Sequence, residues 1–179
     1  ATDPVLKAAI AHLWFVNIHP FDDGNGRLAR TLTDMLLARA DRSPHRFYSM
    51  SAAILRDRSN YYDLLEYMGK HGLDITRWLL WFLQTMGNAI DTAVERTQRA
   101  IRKSLFWQKN RSVALNERQI KVINRLWDGF EGKLNTSKWA KMTKTSAATA
   151  LRDIQDLVDK GILCRTEEGG RSTNYRMIE

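Results

Sequence analysis

Apolar residues recur at helical spacing over most of this chain. Asp3-Pro4 reads as an N-cap followed by the first helical position, because the Asp oxygen accepts free amides and proline has none to satisfy. From there Leu6, Ile10, Leu13 and Asn17 share one face, widened by Ala9, Phe15 and Val16, so a mostly buried helix is expected to about Ile18. The polar stretch "HPFDDGNGR" at 19–27 interrupts the pattern. Leu28, Leu32, Met35 and Leu36 resume it and predict a second helix from near Gly26 to about Ala40. Pro44 breaks the periodicity again, Ser51 to Arg56 offers another helical turn, and "SNYYDLLEYM" opens a helix with Ser59 or Asn60 as cap, ended by Gly69 and Gly72. Thr76 is the expected cap of a helix bearing Trp78, Leu79, Trp81, Phe82, Leu83 and Met86, which continues through Ile90 and Val94 toward a charged tail at 96–109.

The stretch "WQKNRSVALN" at 107–116 loses periodicity and reads as a linker. Beyond it, Asn116 caps a helix holding Ile120, Ile123, Leu126 and Trp127, and Asn135-Thr136-Ser137 starts a short helix with Trp139 and Met142. Thr145 or Ser146 opens a third, whose inner stripe is Leu151, Ile154, Leu157 and Val158 and whose end is Gly161. "ILCRT" and "TNYRMI" flank "EEGGRS" as a hairpin. Three helices and a two-stranded ribbon describe a winged helix-turn-helix. The expected fold is therefore mainly α, an all-helical domain over 1–108 and a small winged-helix domain over 109–179.

Charge and cysteine usage narrow the setting. The net charge of +8 is shared evenly when the chain is cut at Asn110, with 15 Lys+Arg against 11 Asp+Glu before it and 13 against 9 after it. That balance suits a phosphate-bearing partner, nucleotide or nucleic acid, and does not separate the two. Cys164 stands alone, which excludes an intrachain disulfide and a cysteine metal cluster and makes a cytoplasmic setting the expectation. The longest greasy run, "WLLWFL" at 78–83, is too short to cross a bilayer, and no export signal opens the chain, so no membrane partner is expected.

The loop carries the chemistry. Consecutive amides around Gly24, Asn25 and Gly26 fold readily into a concave nest at a helix N-terminus, where the dipole also favours an anion, and glycine permits the positive φ angles of such a turn. Arg27 and Arg30 lie on one face of the following helix and offer bidentate contacts to further phosphate oxygens. Asp23 is a suitable oxygen ligand for a magnesium ion that keeps most of its waters. His19 remains as a proton acceptor, since the unperturbed imidazole is the side chain that titrates nearest neutral pH. An EF-hand fails here, because Leu28 stands where the sharp-turn glycine is needed and Asp34 where a bidentate Glu belongs. Each residue alone also has a plain structural use; Arg30, for one, can pair with Asp34.

In combination, "HPFDDGNGRLAR" closely resembles the signature of the Fic family, His-x-Phe-x-(Asp/Glu)-Gly-Asn-Gly-Arg-x-x-Arg, with every fixed position filled. The resemblance covers roughly the first 100 residues and includes "SAAILRDRSNYYDLLE", which looks like the family's downstream helix. It implies an enzyme, a nucleotidyltransferase that moves AMP from ATP to a Tyr, Thr or Ser hydroxyl of a target protein with Mg2+. By the match His19 is the general base, Asp23 holds magnesium, Gly24, Asn25 and Gly26 form the anion nest, and Arg27 and Arg30 bind the outer phosphates. Phe21 would anchor the loop in the core, while Tyr61 and Tyr62 would line the base side. Relatives that use another donor, or remove AMP, share this motif.

Two family parts have no counterpart in this sequence: the β-hairpin flap that aligns the target, and the inhibitory Ser/Thr-x-x-x-Glu-Gly/Asn helix. The chain is accordingly expected to start mid-protein. The second module resembles the winged helix fused to some Fic proteins. As a DNA-binding element it would present Thr145, Ser146, Thr149 and Arg152 to the major groove, with Lys144, Arg165 and Arg171 on phosphates. Asp153, Asp156 and Asp159 on the same helix would oppose this if they faced the groove, and the other expectation is a dimerisation or protein-docking module, a homodimer being compatible with it. The alternative function is thus a DNA-binding regulator whose Fic portion senses nucleotide.

Overall fold

The computed structural model describes residues 2–43, 45–70, 72–166 and 173–178. The chain divides into two compact units, Ala1–Thr97 and Gln98–Glu179, and is mainly helical. In the first unit, α1 (Pro4–Ile18) begins as expected, with the Asp3 carboxylate accepting the amides of Val5 and Leu6 at 2.8 and 3.2 Å. It packs along α2 (Asn25–Ala40), the most extensive helix–helix contact of the unit.

The buried stripes of this pair differ from the expected ones. On α1 the buried residues are Ala8, Ala9, His12 and Leu13, while Asn17 is exposed. On α2 they are Asn25, Ala29, Thr33 and Leu37, whereas Leu28 and Met35 are exposed. The inner face of α2 thus sits one residue on from the leucine stripe. Small side chains there let the two helices approach, and the polar ones satisfy each other across the seam.

The remaining elements of the first unit are α3 (Met50–Arg56), capped by Ser49, α4 (Arg58–Lys70), and α5 (Thr76–Lys109). Because α4 starts at Arg58, Ser59 and Asn60 lie within it rather than capping it. Gly69 is helical too, and the chain turns only at Gly72, with φ of +82°. Asp74, rather than Thr76, caps α5, accepting the Thr76 amide at 2.9 Å. Trp78 and Phe82 of α5 are fully buried and pack with Leu13, Leu37, Met50, Tyr61 and Trp81. Two indoles are polar-satisfied in this core, Trp78 Nε1 donating to Ala9 O at 2.8 Å and Trp81 Nε1 to Asp57 Oδ2 at 2.7 Å. Pro44 lies outside the described residues.

In the second unit the last turns of α5 bring Phe106 into a separate core. Residues 107–109 are therefore helical, where the aperiodic stretch suggested a linker. Then follow α6 (Glu117–Trp127), started by a reciprocal Asn116–Gln119 capping box, α7 (Thr136–Thr143), capped by Asn135, and α8 (Ala147–Asp159), capped by Ser146. Strands β1 (Leu163–Arg165) and β2 (Tyr175–Met177) pair antiparallel with Cys164 opposite Arg176. Trp139, Ile154, Leu157, Ile162 and Leu163 are the buried centre. Leu151, expected inside, is 48% exposed, and Asp153 takes a buried place on α8 instead. The expected hairpin turn, with Arg171, lies outside the described residues.

Candidate active site

The loop between α1 and α2 is built by two left-handed residues and one buried amide. His19 closes α1 at φ 50°, ψ 56°, its N–H donating to Phe15 O at 3.2 Å. Gly24 opens α2 at φ 85°, a conformation that glycine reaches without the Cβ clash that penalises other residues. Between them the buried Asn25 holds the loop like a clasp: the Phe21 amide donates to Asn25 Oδ1 at 3.1 Å, and Asn25 Nδ2 donates back to Phe21 O. Phe21 itself, expected to anchor the loop in the core, is 52% exposed and only leans on Phe15, with ring centroids 6.3 Å apart. The anchor is the Asn25 side chain, whose two-way bonding to one backbone residue fixes the turn more tightly than a ring at the surface.

This arrangement leaves an anion site open. Among the described residues no side chain caps α2, so the amides of Asn25, Gly26 and Arg27, which have no acceptor inside a helix, remain available at the positive end of the dipole. Both arginines lie against the glycines. A Cβ at Gly24 would meet Arg27 Nη2 at 3.5 Å, and one at Gly26 would meet Arg30 Nη1 at 3.5 Å. Arg27 pairs with Asp23 at 3.1 Å in an exposed contact. Arg30 does not pair with Asp34, which is engaged at 2.6 Å by Arg46. The His19 ring is exposed, with Nδ1 3.4 Å from Val16 O. A carbonyl can only accept, so Nδ1 is the donor in this contact, and Nε2 has no hydrogen-bond partner among the described residues.

Beneath the loop lies a polar network that the periodicity did not single out. His12 is fully buried, with Nδ1 2.8 Å from Thr33 Oγ1 and Nε2 3.1 Å from the Tyr61 hydroxyl. Thr33 gives its own proton to Ala29 O at 2.8 Å. Its oxygen must then accept from His12 Nδ1–H, and His12 Nε2 must accept from Tyr61 O–H. The imidazole is therefore neutral with a fixed tautomer. Burial, helped by the nearby Arg30 charge, lowers its pKa to about 4. Burial also pushes the Tyr61 phenol up to about 12, opposed by Arg30. The available signal was positional: Ala8 to His12 and Ala29 to Thr33 are both four-residue steps beside the leucines.

Tyr61 and Tyr62 part company. Tyr61 is 3% exposed and committed to His12, while Tyr62 is 53% exposed, packed edge-on against Tyr61 at 5.1 Å with Arg58 over its ring at 5.5 Å. Both border, with Arg30, Ser51, Ile54 and Leu55, a cavity of about 390 Å³. Among the described residues no group of three or more His, Cys, Asp or Glu side chains could hold a metal ion. Asp23, exposed beside the nest, is a hard oxygen donor of the kind a magnesium ion takes.

In the second unit the expected nucleic-acid residues cluster at the start of α8. Ser146 Oγ accepts the Thr149 amide at 3.2 Å and also bonds the Thr149 hydroxyl at 3.0 Å, while Thr145 bonds Thr143 at 2.8 Å. Lys144 is left-handed at φ 54°, and Arg152 is exposed. Arg165 reaches Gln155 at 3.1 Å rather than standing free. Asp153 faces inward. Arg118 binds it at 2.7 and 2.8 Å and keeps its carboxyl below the usual range against the opposing effect of burial. Asp156 is taken by Lys160 and Gln119.

Residues 1–37 match the family model of the Fic/DOC family. The chain is similar to protein adenylyltransferase fic-1 of Caenorhabditis briggsae, 34% identical over 101 residues that are 51% of this chain and 19% of that protein. It is also similar to protein adenylyltransferase Fic of Nematostella vectensis, 36% identical over 52% of this chain and 20% of that one. With the Aedes aegypti protein of the same name it shares 44% identity over 35% of this chain and 11% of the relative. The matched segments thus span a fifth or less of these curated relatives. Both comparisons support a Fic assignment for the N-terminal part. No helix of the described residues is long and apolar enough to cross a membrane.

Proposed function

We propose that the first unit carries the catalytic loop of a protein adenylyltransferase, moving AMP from ATP to a Tyr, Thr or Ser hydroxyl of a target protein. The observation that carries this reading is the pairing of an exposed imidazole at a left-handed C-cap with an uncapped helix N-terminus one short loop later. The amides of Asn25, Gly26 and Arg27 bind the phosphate chain, and the guanidiniums of Arg27 and Arg30 hold its outer oxygens. Arg27 leaves Asp23 to do so, which costs little because their contact is exposed. His19 Nε2 takes the proton of the incoming hydroxyl as its oxygen forms a bond to the α-phosphorus. The bond from that phosphorus to the bridging oxygen breaks, and pyrophosphate leaves. Asp23 would hold magnesium, which when bound supplies charge neutralisation for the leaving group. Tyr62 and Arg58 border the cavity beside Arg30 and suit a planar base. The lone thiol Cys164 fits a cytoplasmic setting.

The test compares wild type with His19→Ala in cells, reading AMP-modified peptides by mass spectrometry. Loss of general-base assistance is expected to lower transfer by about 10²–10⁴-fold, with ATP binding retained. Equal modification by both proteins overturns the assignment. Retained binding with no modification by either favours the nucleotide-sensing alternative.

A second reading concerns the second unit as a winged helix on DNA. It is supported by the inward placement of Asp153 and by the pairing of the half-exposed Asp156 with Lys160, which together leave less uncompensated negative charge on α8. Ser146, Thr149 and Arg152 would then approach base edges, and Arg171, outside the described residues, would reach a phosphate. Binding should weaken steeply with salt; a gel-shift series without salt dependence argues for protein docking instead.

A further inference from the structure

The second unit contains a cavity that neither proposed activity uses. Its volume is about 370 Å³, and every described residue that lines it belongs to that unit. Phe106 and Trp127, with ring centroids 5.8 Å apart, form its floor with Ile162, all three buried, while Leu105 and Ile178 stand exposed at its edge. Gly161 puts no side chain into it, and a Cβ there would meet open space. The aromatic floor suits a planar apolar body. The buried Trp127 Nε1 has no acceptor among the described residues, which is uncommon for an indole in a core.

The charges around this cavity have one sign. Arg102, Lys109 and Lys160 line it, and no carboxylate among the described residues does. Lys160 is committed, donating to Asp156 Oδ2 at 2.5 Å and to Ala114 O at 2.7 Å. Arg102 and Lys109 are exposed and pair with no carboxylate among the described residues. They flank Leu105 and Phe106 on α5, three residues before the one and three after the other, so the helix turns both cations and both apolar side chains to one face. An apolar slot with two unpaired cations at its edge complements a molecule with a ring at one end and an anion at the other. A free phosphate would answer the cations and leave the aromatic floor uncovered. A neutral ring would cover the floor and leave the cations unanswered.

We propose that this cavity binds a small aromatic carboxylate, its ring against Phe106 and Trp127 and its anion on Arg102 and Lys109. The proposal does not depend on the catalytic reading. The test titrates 2-naphthoate into the full-length protein and follows the heat of binding and the Trp127 indole N–H resonance, assigned by its loss in Trp127→Phe. Saturable binding that moves this resonance is expected, at least tenfold weaker for the uncharged 2-naphthylmethanol, while inorganic phosphate should leave the resonance in place. Arg102→Gln and Lys109→Gln should each weaken binding fivefold or more. Leu105→Asp, a change at an exposed position, should abolish it with Tm unchanged, and Lys121→Gln, a cation outside the cavity, should not alter it. Absence of saturable 2-naphthoate binding, equal binding of the alcohol, or indifference to both Arg102→Gln and Lys109→Gln overturns the proposal.

Discussion

His12 and His19 belong to the same helix and have opposite surroundings. The first is fully buried, bonded at both nitrogens and unable to take a proton near neutrality; the second is exposed at a C-cap, with one nitrogen uncommitted. What separates them is the partner helix. Where α2 runs alongside α1 its Thr33 and the Tyr61 of α4 close over the imidazole, and where α2 has not yet begun the loop leaves the imidazole to solvent. An imidazole is a base only where the fold leaves a nitrogen free, so the same residue type reads as core in one place and as chemistry in the other.

The largest effect that tests this contrast is on stability against pH. His12 has a folded pKa of about 4 against an ordinary 6.5. The unfolded chain therefore binds the extra proton first, and the stability held by the neutral imidazole is complete above pH 6.5. It is lost as pH falls from 6.5 toward about 4. The shift corresponds to on the order of 3 kcal/mol at ~1.4 kcal/mol per unit. Urea denaturation of wild type and His12→Asn across that window should give a steeper fall for wild type. Parallel curves would mean that His12 takes up its proton in the folded protein without penalty.

Removing one hydroxyl examines the same network from its other side. Tyr61→Phe leaves His12 Nε2 without a donor in a buried place and is expected to cost about 1–3 kcal/mol. It should also move the His12 ring resonances while leaving those of His19 in place. A change confined to stability, with His12 unmoved, would show that the ring is held by packing against Trp78 rather than by its hydrogen bonds.

How legible each region was follows from the same physics. The loop could be read because its constraints are local: a left-handed glycine, a proton acceptor, arginines one helical step apart. Helix starts at Pro4, Glu117, Thr136 and Ala147 were equally readable, each from a cap that bonds within three residues. The inner stripe of α1 and α2 was not, because apolar periodicity points to the leucines, whereas the seam is set by how closely Ala8, Ala29 and Thr33 let two helices approach. His12, Thr33 and Tyr61 satisfy one another only after α1, α2 and α4 are assembled. Asp153 on α8 is the parallel case in the second unit: its partners Asn116 and Arg118 lie on another element. Phe21 misled for the converse reason, since a hydrophobic residue in a loop is read as an anchor although the neighbouring Asn25 holds the backbone.

Two glycines in the loop give a smaller and sharper test, because they should respond with opposite sign. Gly24 sits at φ 85°, so Gly24→Ala is expected to cost about 1–2 kcal/mol for forcing a Cβ into the left-handed region. Gly26 is helical and its added Cβ would make ordinary contact with Arg30 Nη1 at 3.5 Å, so Gly26→Ala should raise stability by up to about 1 kcal/mol. Thermal unfolding of the two variants decides it. If both destabilise equally, the turn is strained throughout and the clasp formed by Asn25 does not isolate Gly24 as its left-handed point.

The smallest stability effect should come from Asp23, and its smallness is the informative part. Its pair with Arg27 joins two exposed side chains, 92% and 74% accessible. Asp23→Asn should therefore lie at the low end of the ~0–1 kcal/mol range of exposed ion pairs and leave Tm almost unchanged. A structural carboxylate would show its main effect there. One placed to hold an ion beside a phosphate chain would show it instead as weakened magnesium-dependent nucleotide binding, read by titration with ATP in the presence and absence of the metal. Unchanged Tm with lost metal dependence puts Asp23 on the side of His19; lowered Tm with unchanged binding puts it with His12, as part of what holds the loop.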